Sequence, residues 1–386
     1  MANVLTNLAA DIYRAADIVG RELVGVIPSM TINAGTERAA FGDTVRSAFT
    51  RAAQVNTSYT PSMTIPQGDN QTVDNKTTTI DKVANVQIPY TGEDILHLNN
   101  GVGYETVYGD QIAQAMRGIT NSIENYAALT IYQGASRAIG TAGTTPFATN
   151  FDAIAELRQV LVDNGMPLDG QATVAMNTNA GTKLRNLAQL QKVGESGGED
   201  LLRRGELLNL QGLMLKESNG IAAHVRGTAT GVTVNGALAI GATAIVFDGA
   251  TAGATGIKAG DVVTFAGDTV NKYVVEVGLA SGAAGTFTLA APGLRVAIAD
   301  NAAVTIGANY TGNFAFHRAA VELVVRPPAQ PLGGDAAVDR MTVQDPFSGL
   351  VYEIAVYKGY GKAMFDITTF YAAKVWKPQF VSTLLG

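Results

Sequence analysis

The chain has 386 residues, of which 47% are hydrophobic and 16% charged, with a formal net charge of −6 and no cysteine. Its length exceeds what one core normally serves, so two or three modules are expected, and a charge content below the usual quarter implies a surface that is uncharged or covered by partners. The missing cysteines exclude disulfides, thiolate metal sites and thiol nucleophiles, and with Arg203–Arg204 as the longest basic run no continuous stretch of cations is available to grip a phosphate backbone.

At the start, Leu5, Leu8, Ile12, Val19, Leu23 and Val26 fall on one helical stripe that Pro28 stops. Residues 1–30 therefore read as an amphipathic arm, either a surface helix of its own domain or one packed on a neighbour. Asp11 and Arg14 interrupt this stretch before any long apolar run, which argues against a secretory signal. No run of about 18 apolar residues occurs anywhere, so no membrane span is expected. Without a secretory route, the Asn-x-Ser/Thr triplets at Asn56, Asn70, Asn75 and Asn309 carry no glycosylation signal.

Residues 55–90 are rich in Thr, Val and Ile, with Gln67-Gly68-Asp69-Asn70 as a turn between two extended limbs. A two-stranded ribbon is marginal in water, so this hairpin needs a surface to lie against. Thr91 to Asp94 is a capping-box start for a short helix through Leu98. The strongest helical pattern follows over 104–134, where Ile112, Met116, Ile119, Ile123 and Tyr126 are spaced by fours and threes. A further helix carries Phe151, Ile154, Leu157, Val160 and Leu161 and stops at Asn164-Gly165. Ala172–Met176 reads as a buried strand, Asn179–Leu190 as a helix and Glu195–Asp200 as a polar loop.

From 226 to 310 the composition turns glycine-rich, and short Val/Ile/Phe/Thr runs alternate with turns. Strands are expected at 231–234, 244–248, 261–265, 273–277, 285–290 and 303–306, enough for a small closed barrel. The helical and mixed pattern resumes at Phe314, which makes this segment an insertion whose ends, near Val225 and Asn313, must meet. Strands at 340–343, 350–357 and 361–370 close the chain ahead of Val375–Val381.

Chemistry is hard to find. Gly359-Tyr-Gly-Lys362 has neither the spacing nor the hydroxyl of a phosphate-binding loop, and Gly101-x-Gly103 does not complete a dinucleotide fingerprint. Three histidines, His97, His224 and His317, offer few bases for a triad; His224 and His317 flank the insertion, with no carboxylates identified to complete a metal site. Glu93-Asp94 and Glu199-Asp200 fit capping and solvation. No catalytic, cofactor-binding or metal-ligating residue is assigned, and an enzyme is not expected.

Several segments carry a resemblance. Asn313-Phe-Ala-Phe-His-Arg-Ala-Ala-Val-Glu-Leu-Val-Val-Arg-Pro327 is similar to the segment that follows the inserted domain in the P22-like bacteriophage coat proteins. Ile257–Phe265 and Pro292-Gly-Leu294 resemble that domain itself, Val375–Phe380 the family's final strand, and Val174–Asn177 with Leu184–Leu187 the entry to its axial domain. The likeness runs along the whole chain, in letters over the second half and in pattern over residues 1 to 100.

The resemblance implies an α+β, HK97-like major capsid fold with an all-β barrel insertion. Its parts would be an N-terminal arm (1–30), a peripheral domain (31–170) holding the E-loop (55–90) and the spine helix (104–134), an axial domain (171–224 and 312–345), the inserted barrel (226–310) and closing strands of the peripheral domain (346–386). It implies the major capsid protein of a tailed double-stranded DNA bacteriophage, assembled in the host cytoplasm as hexamers and pentamers of an icosahedral shell. Partners would be a scaffolding protein and a portal protein, with a decoration protein left open; the enclosed DNA would be held without sequence-specific binding, and no cofactor is implied. One departure stands out: between Ala237 and Gly256 the only charge is Asp248, where relatives bridge two-fold neighbours through a charged loop. Two other readings compete: a secreted surface-layer or adhesin protein, and an enzyme with an appended β module.

Overall fold

The computed structural model describes residues 25–50, 60–65, 73–99, 104–191, 209–251, 256–345 and 348–386. The arm before Gly25, the turn at 67–70 and the polar loop at 195–200 lie outside the described residues.

The first strands are β1 (Thr31–Ala34), β2 (Thr44–Thr50), β3 (Val73–Thr79) and β4 (Lys82–Thr91), followed by helices α1 (Gly92–Asn99) and α2 (Tyr104–Gln133). Next come β5 (Arg137–Gly140), α3 (Asp152–Asp163), β6 (Ala172–Met176), α4 (Thr178–Arg185), α5 (Ala188–Gln191), β7 (Met214–Glu217) and β8 (Ala223–His224). The glycine-rich segment holds β9 (Thr233–Val234), β10 (Ala244–Asp248), β11 (Val262–Phe265), β12 (Asp268–Val277), β13 (Gly285–Leu289) and β14 (Val304–Ile306). The C-terminal part is mostly strand: β15 (Tyr310–His317), β16 (Val321–Arg326), β17 (Ala337–Gln344), β18 (Val351–Lys358), β19 (Lys362–Val375) and β20 (Val381–Leu385).

Local chemistry explains the main helices. At α1, the Asp94 carboxylate accepts from the Thr91 amide at 2.9 Å and the Thr91 hydroxyl accepts from the Asp94 amide at 3.2 Å, the reciprocal capping box. In α2, Ile112, Met116, Ile119, Ile123, Ala127 and Ile131 form a stripe that is fully buried against the first sheet. The helix ends at Gly134, where a β-carbon would come within 2.7 Å of the Val375 side chain; only glycine lets the chain pass β19 this closely.

The first sheet runs β1-β16-β19-β18-β17, with β4 also paired to β19. β4 spans Lys82↔Tyr371 to Thr91↔Lys362, and β16 takes the other end of β19, from Val321↔Val375 to Arg326↔Phe370. Period-two alternation turns Ala84, Val86, Ile88 and Tyr90 of β4 onto the α2 core.

The second sheet begins β7-β6-β15-β20-β5 and separates two cores. Phe314 and Phe316 face the core under α2, while Ala315 between them faces a second core of Ile154, Leu157, Leu161, Val174 and Leu184. Both faces of β15 are covered at Phe314-Ala315-Phe316, so its apolar residues there run consecutively rather than alternating. That corrects the expectation of helical and mixed structure from Phe314: β15 and β16 are strands.

Two other boundaries differ from expectation. β16 and β17 hydrogen-bond into the sheet with β18 and β19, not beside β6 and β7. The long ribbon starts at Thr44, ahead of Val55, because β2 pairs with β3, whereas 82–91 leaves the ribbon to join β19.

Between 229 and 306 a third core forms around Phe247, Phe265, Tyr273 and Phe287. Its strands pair β9-β10-β13-β12-β11-β14, and the Thr233↔Ala303 bridge returns β14's flank to β9. The ends of this segment meet where His224 of β8 pairs with Tyr310 of β15.

Candidate assembly surface

The ribbon is the most extended feature. β2 and β3 pair from Thr44↔Thr79 to Thr50↔Val73, a reach of about 23 Å at about 3.3 Å per residue. Its root is tied down. Ile80 is buried with Ala39 and Val324, with Val45 and Phe370 alongside, and the Ile80 amide donates to the Asp43 carbonyl at 2.9 Å. Glu322 of β16 collects three donors: the Asn33 amide group at 2.9 Å, the Ser47 hydroxyl at 2.6 Å and the Trp376 indole N–H at 2.7 Å.

Trp376, the single tryptophan, is flanked by lysines. The Lys76 ammonium of β3 donates to the Trp376 carbonyl at 2.9 Å and stands 4.8 Å from the indole centroid, and the Lys374 ammonium also stands 4.8 Å from it. Burial lowers the Lys76 amine to about 8, with repulsion from Lys377 and Lys374 adding to the shift and Glu322 opposing it. Farther along, residues 60–65 are exposed throughout; Met63 (105%) and Ile65 (89%) have no apolar cover among the described residues.

A second root fixes the segment that leads to the arm. Glu124, in the middle of α2, is only 2% exposed. Its carboxylate accepts from the Val26 amide at 2.8 Å, the Ile27 amide at 3.1 Å and the Ser218 hydroxyl at 2.7 Å. Burial pushes its pKa up, and these hydrogen bonds pull the other way. Gly25 lies so close to the loop after β7 that a β-carbon would sit 2.2 Å from the Glu217 carbonyl oxygen. Sequence reasoning missed Glu124, although a carboxylate beside Ile123 on an otherwise apolar helical stripe is a signal.

The two described histidines are brought to separate carboxylates rather than to each other. His224 Nε2 lies 2.8 Å from Asp261 Oδ1, and the fully buried Asp261 also accepts from the Gly227 and Lys258 amides at 3.0 and 2.7 Å. These bonds fasten the stem of the 226–310 segment. His317 Nδ1 accepts from the Ala319 amide at 3.2 Å, so its Nε2 carries the proton shared with Asp169 at 3.0 Å; the Gln171 amide first, and then this contact, hold the Asp169 carboxyl below its usual range. The side chain of His97 lies outside the described residues. Asp248, the lone charge of its stretch, accepts from the Thr233 hydroxyl at 2.6 Å within its own sheet. Among the described residues no group of three or more His, Asp or Glu side chains gathers as a metal site, and no helix is long and apolar enough to cross a membrane.

No protein-family model matches the chain, and no curated protein matches its sequence. Solved structures do. A chain of the capsid of the cyanophage P-SCSP1u is 13% identical with a TM-score of 0.51, covering 94% of this chain and 88% of that one. A chain from Mycobacterium phage Che8 is 15% identical with a TM-score of 0.47, covering 89% and 84%. A virus-like particle from Pyrococcus furiosus is 8% identical with a TM-score of 0.44, covering 98% and 100%. The chain therefore has the mixed α+β, strand-dominated fold found in the cyanophage capsid, in agreement with an HK97-like architecture.

Proposed function

We propose that this chain is the major capsid protein of a tailed double-stranded DNA bacteriophage, a non-catalytic subunit that builds an icosahedral shell from hexamers and pentamers. The observation that carries the reading is the ribbon: a two-stranded extension rooted on the first sheet, with Met63 and Ile65 uncovered among the described residues, in a chain that shares the fold of a phage capsid. Apolar side chains on an extension of this kind are covered when sister copies lie beneath it.

Within this reading, residues 1–30 are the arm, the β2–β3 ribbon is the E-loop and α2 is the spine helix of a peripheral domain that includes the first sheet. The axial domain, 171–224 and 312–345, is built on the second core around α4, β6 and β7. Residues 226–310 are an inserted β-barrel of the P22-like kind; the cycle of pairings from β9 to β14 and the His224–Tyr310 stem support this. A scaffolding protein and a portal protein are the expected partners, a decoration protein is left open, and the site of action is the virion after assembly in the host cytoplasm.

Shell formation then needs no single tight contact. Arm and ribbon spread on the order of 2,000 Å² or more of buried surface over several neighbours, and closed symmetry adds modest affinities together. Electron microscopy of the chain expressed with and without its scaffold tests the proposal. Closed shells or tubes support it; flat arrays or monodisperse monomers under both conditions overturn it.

A further inference from the structure

Beside the arm root lies an open groove that no described residue fills. Its volume is about 510 Å³, and it runs along α2 from Ser122 past Tyr126 to Leu129, with Ala222 and Tyr371 of β19 in its walls. No side chain that lines it is charged. Its hydroxyls are already engaged: Ser122 Oγ and Tyr371 Oη lie 3.2 Å apart, and the Tyr126 hydroxyl donates to Asp81 at 3.0 Å. The Tyr126 and Tyr371 rings meet edge to face with centroids 5.5 Å apart, and Leu129 is 40% exposed. An occupant is therefore held by apolar contact rather than by charge. The groove also shares a wall with the arm root. Asn219 and Gly220, which belong to its lining, follow directly on Ser218, and Ser218 shares the Glu124 carboxylate with the Val26 and Ile27 amides. A β-carbon on Gly220 would come within 2.8 Å of Asn125 Oδ1 and 2.9 Å of Glu124 Cγ, so this wall is pressed onto α2 at the residue that holds the root. Gly25 packs on Glu217 and Ser218 with no room for a β-carbon, which sets the start of the described chain against the same wall.

We propose that this groove is the docking site of the chain's own arm, residues 1–24, so that a free subunit carries its arm parked on α2. The sequence supplies the occupant. Leu5, Leu8, Ile12, Val19 and Leu23 fall on one helical stripe, which needs an apolar surface to cover it. From Ser122 to Leu129 the groove follows α2 for about 10 Å, and 24 residues of helix would reach about 36 Å, enough to pass the wall at Ser218 and lie along it. An arm tethered beside its site is presented there at an effective concentration of the order of millimolar, above that of any free sister copy in dilute solution. The parked contact competes with assembly: it shields the stripe in the single subunit and is exchanged for a neighbour's surface in a shell. That exchange rests on the capsid reading; the docking itself does not.

A chain without cysteine allows a clean test by introduced thiols. In the full-length chain, purified as unassembled subunits, Leu129→Cys is combined in turn with Leu8→Cys, Ile12→Cys and Val19→Cys on the stripe and with Arg14→Cys off it, and the thiols are oxidised. A disulfide needs Cα atoms within about 7 Å. The expected result is an internal bond, read as a faster-migrating monomer on a non-reducing gel, in at least one stripe pair and not in the Arg14→Cys pair. Bonded dimers in place of internally bonded monomers overturn the proposal and assign the groove to the arm of a sister copy. No bond in any pair, or equal bonding with Arg14→Cys, also overturns it and leaves the groove to another segment or partner. A second readout is independent of disulfide geometry. Ile12→Asp should speed maleimide labelling of Leu129→Cys by about tenfold, the factor expected when one buried aliphatic contact is lost, and an unchanged rate overturns the proposal. Circular dichroism confirms that the variants are folded. Shells that form from chains whose arms never bond to Leu129→Cys would sink the docking and spare the capsid reading; internal bonds in a chain that never assembles after reduction would do the reverse.

Discussion

The 229–306 segment and the β2–β3 ribbon are both antiparallel β structure, yet they solve the problem of exposed edges in opposite ways. In the first, strands pair in sequence around the buried rings of Phe247, Phe265, Tyr273 and Phe287, and the Thr233↔Ala303 bridge joins the flank of β14 to β9. In the second, two strands form a separate two-stranded sheet that meets the first sheet through side chains, and Met63 and Ile65 are exposed among the described residues. One element is complete within a single chain. The other leaves Met63 and Ile65 exposed among the described residues, and a surface laid against them would bury apolar area.

The largest effect should come from the closed element. Phe287 is fully buried and in ring contact with Phe247 at 5.7 Å, so Phe287→Ala should cost about 3–5 kcal/mol in urea denaturation. An unchanged midpoint would mean that the ring is not held by its own core. Next comes the arm root. Glu124→Ala leaves the Val26 and Ile27 amides and the Ser218 hydroxyl without their acceptor, a loss of about 2–3 kcal/mol. Limited proteolysis should then cut near Gly25 sooner than in the parent chain, and equal rates would show that Glu124 does not hold this segment. The comparison is sharpest at the ribbon. Met63→Ser with Ile65→Ser should move the stability of the isolated chain by no more than about 0.5 kcal/mol, since both side chains are solvated there. Yet shell yield by electron microscopy should fall steeply, and full yield would remove the ribbon from the interface.

Much of this organisation was legible in the sequence where one local rule dominates. β6 and β10 occupy the residues expected of them, because their apolar runs are bounded by turn residues, and α2 follows from its unbroken helical stripe. β15 and β16 were not legible, because strands covered on both faces lose the period-two pattern that marks a strand. The ribbon's origin at Thr44 was missed for a different reason: β2 and β3 are polar, and their register is set across a long connection. Least legible were the two roots. Glu124 with Val26, and Lys76 with Trp376, join residues far apart in sequence, and no local window contains either pair.

The smallest predicted effect concerns the ribbon root and has a definite sign. Lys76 has a folded-state pKa of about 8 against an ordinary 10.5, set by burial first and then by Lys377 and Lys374, with Glu322 opposing. A lysine whose pKa is depressed on folding binds fewer protons in the native state than in the unfolded chain between those two values, so stability rises as pH increases through that window. Below about pH 8 both states hold the proton and the term is flat, at its least favourable. Comparison of urea midpoints at pH 7 and pH 10 should therefore show a gain in the parent chain that is reduced in Lys76→Met, small because the group is partly solvated. The same gain in both chains would place the titration elsewhere. If it does belong to Lys76, the ribbon is anchored at neutral pH against a standing electrostatic cost that relaxes as the pH rises.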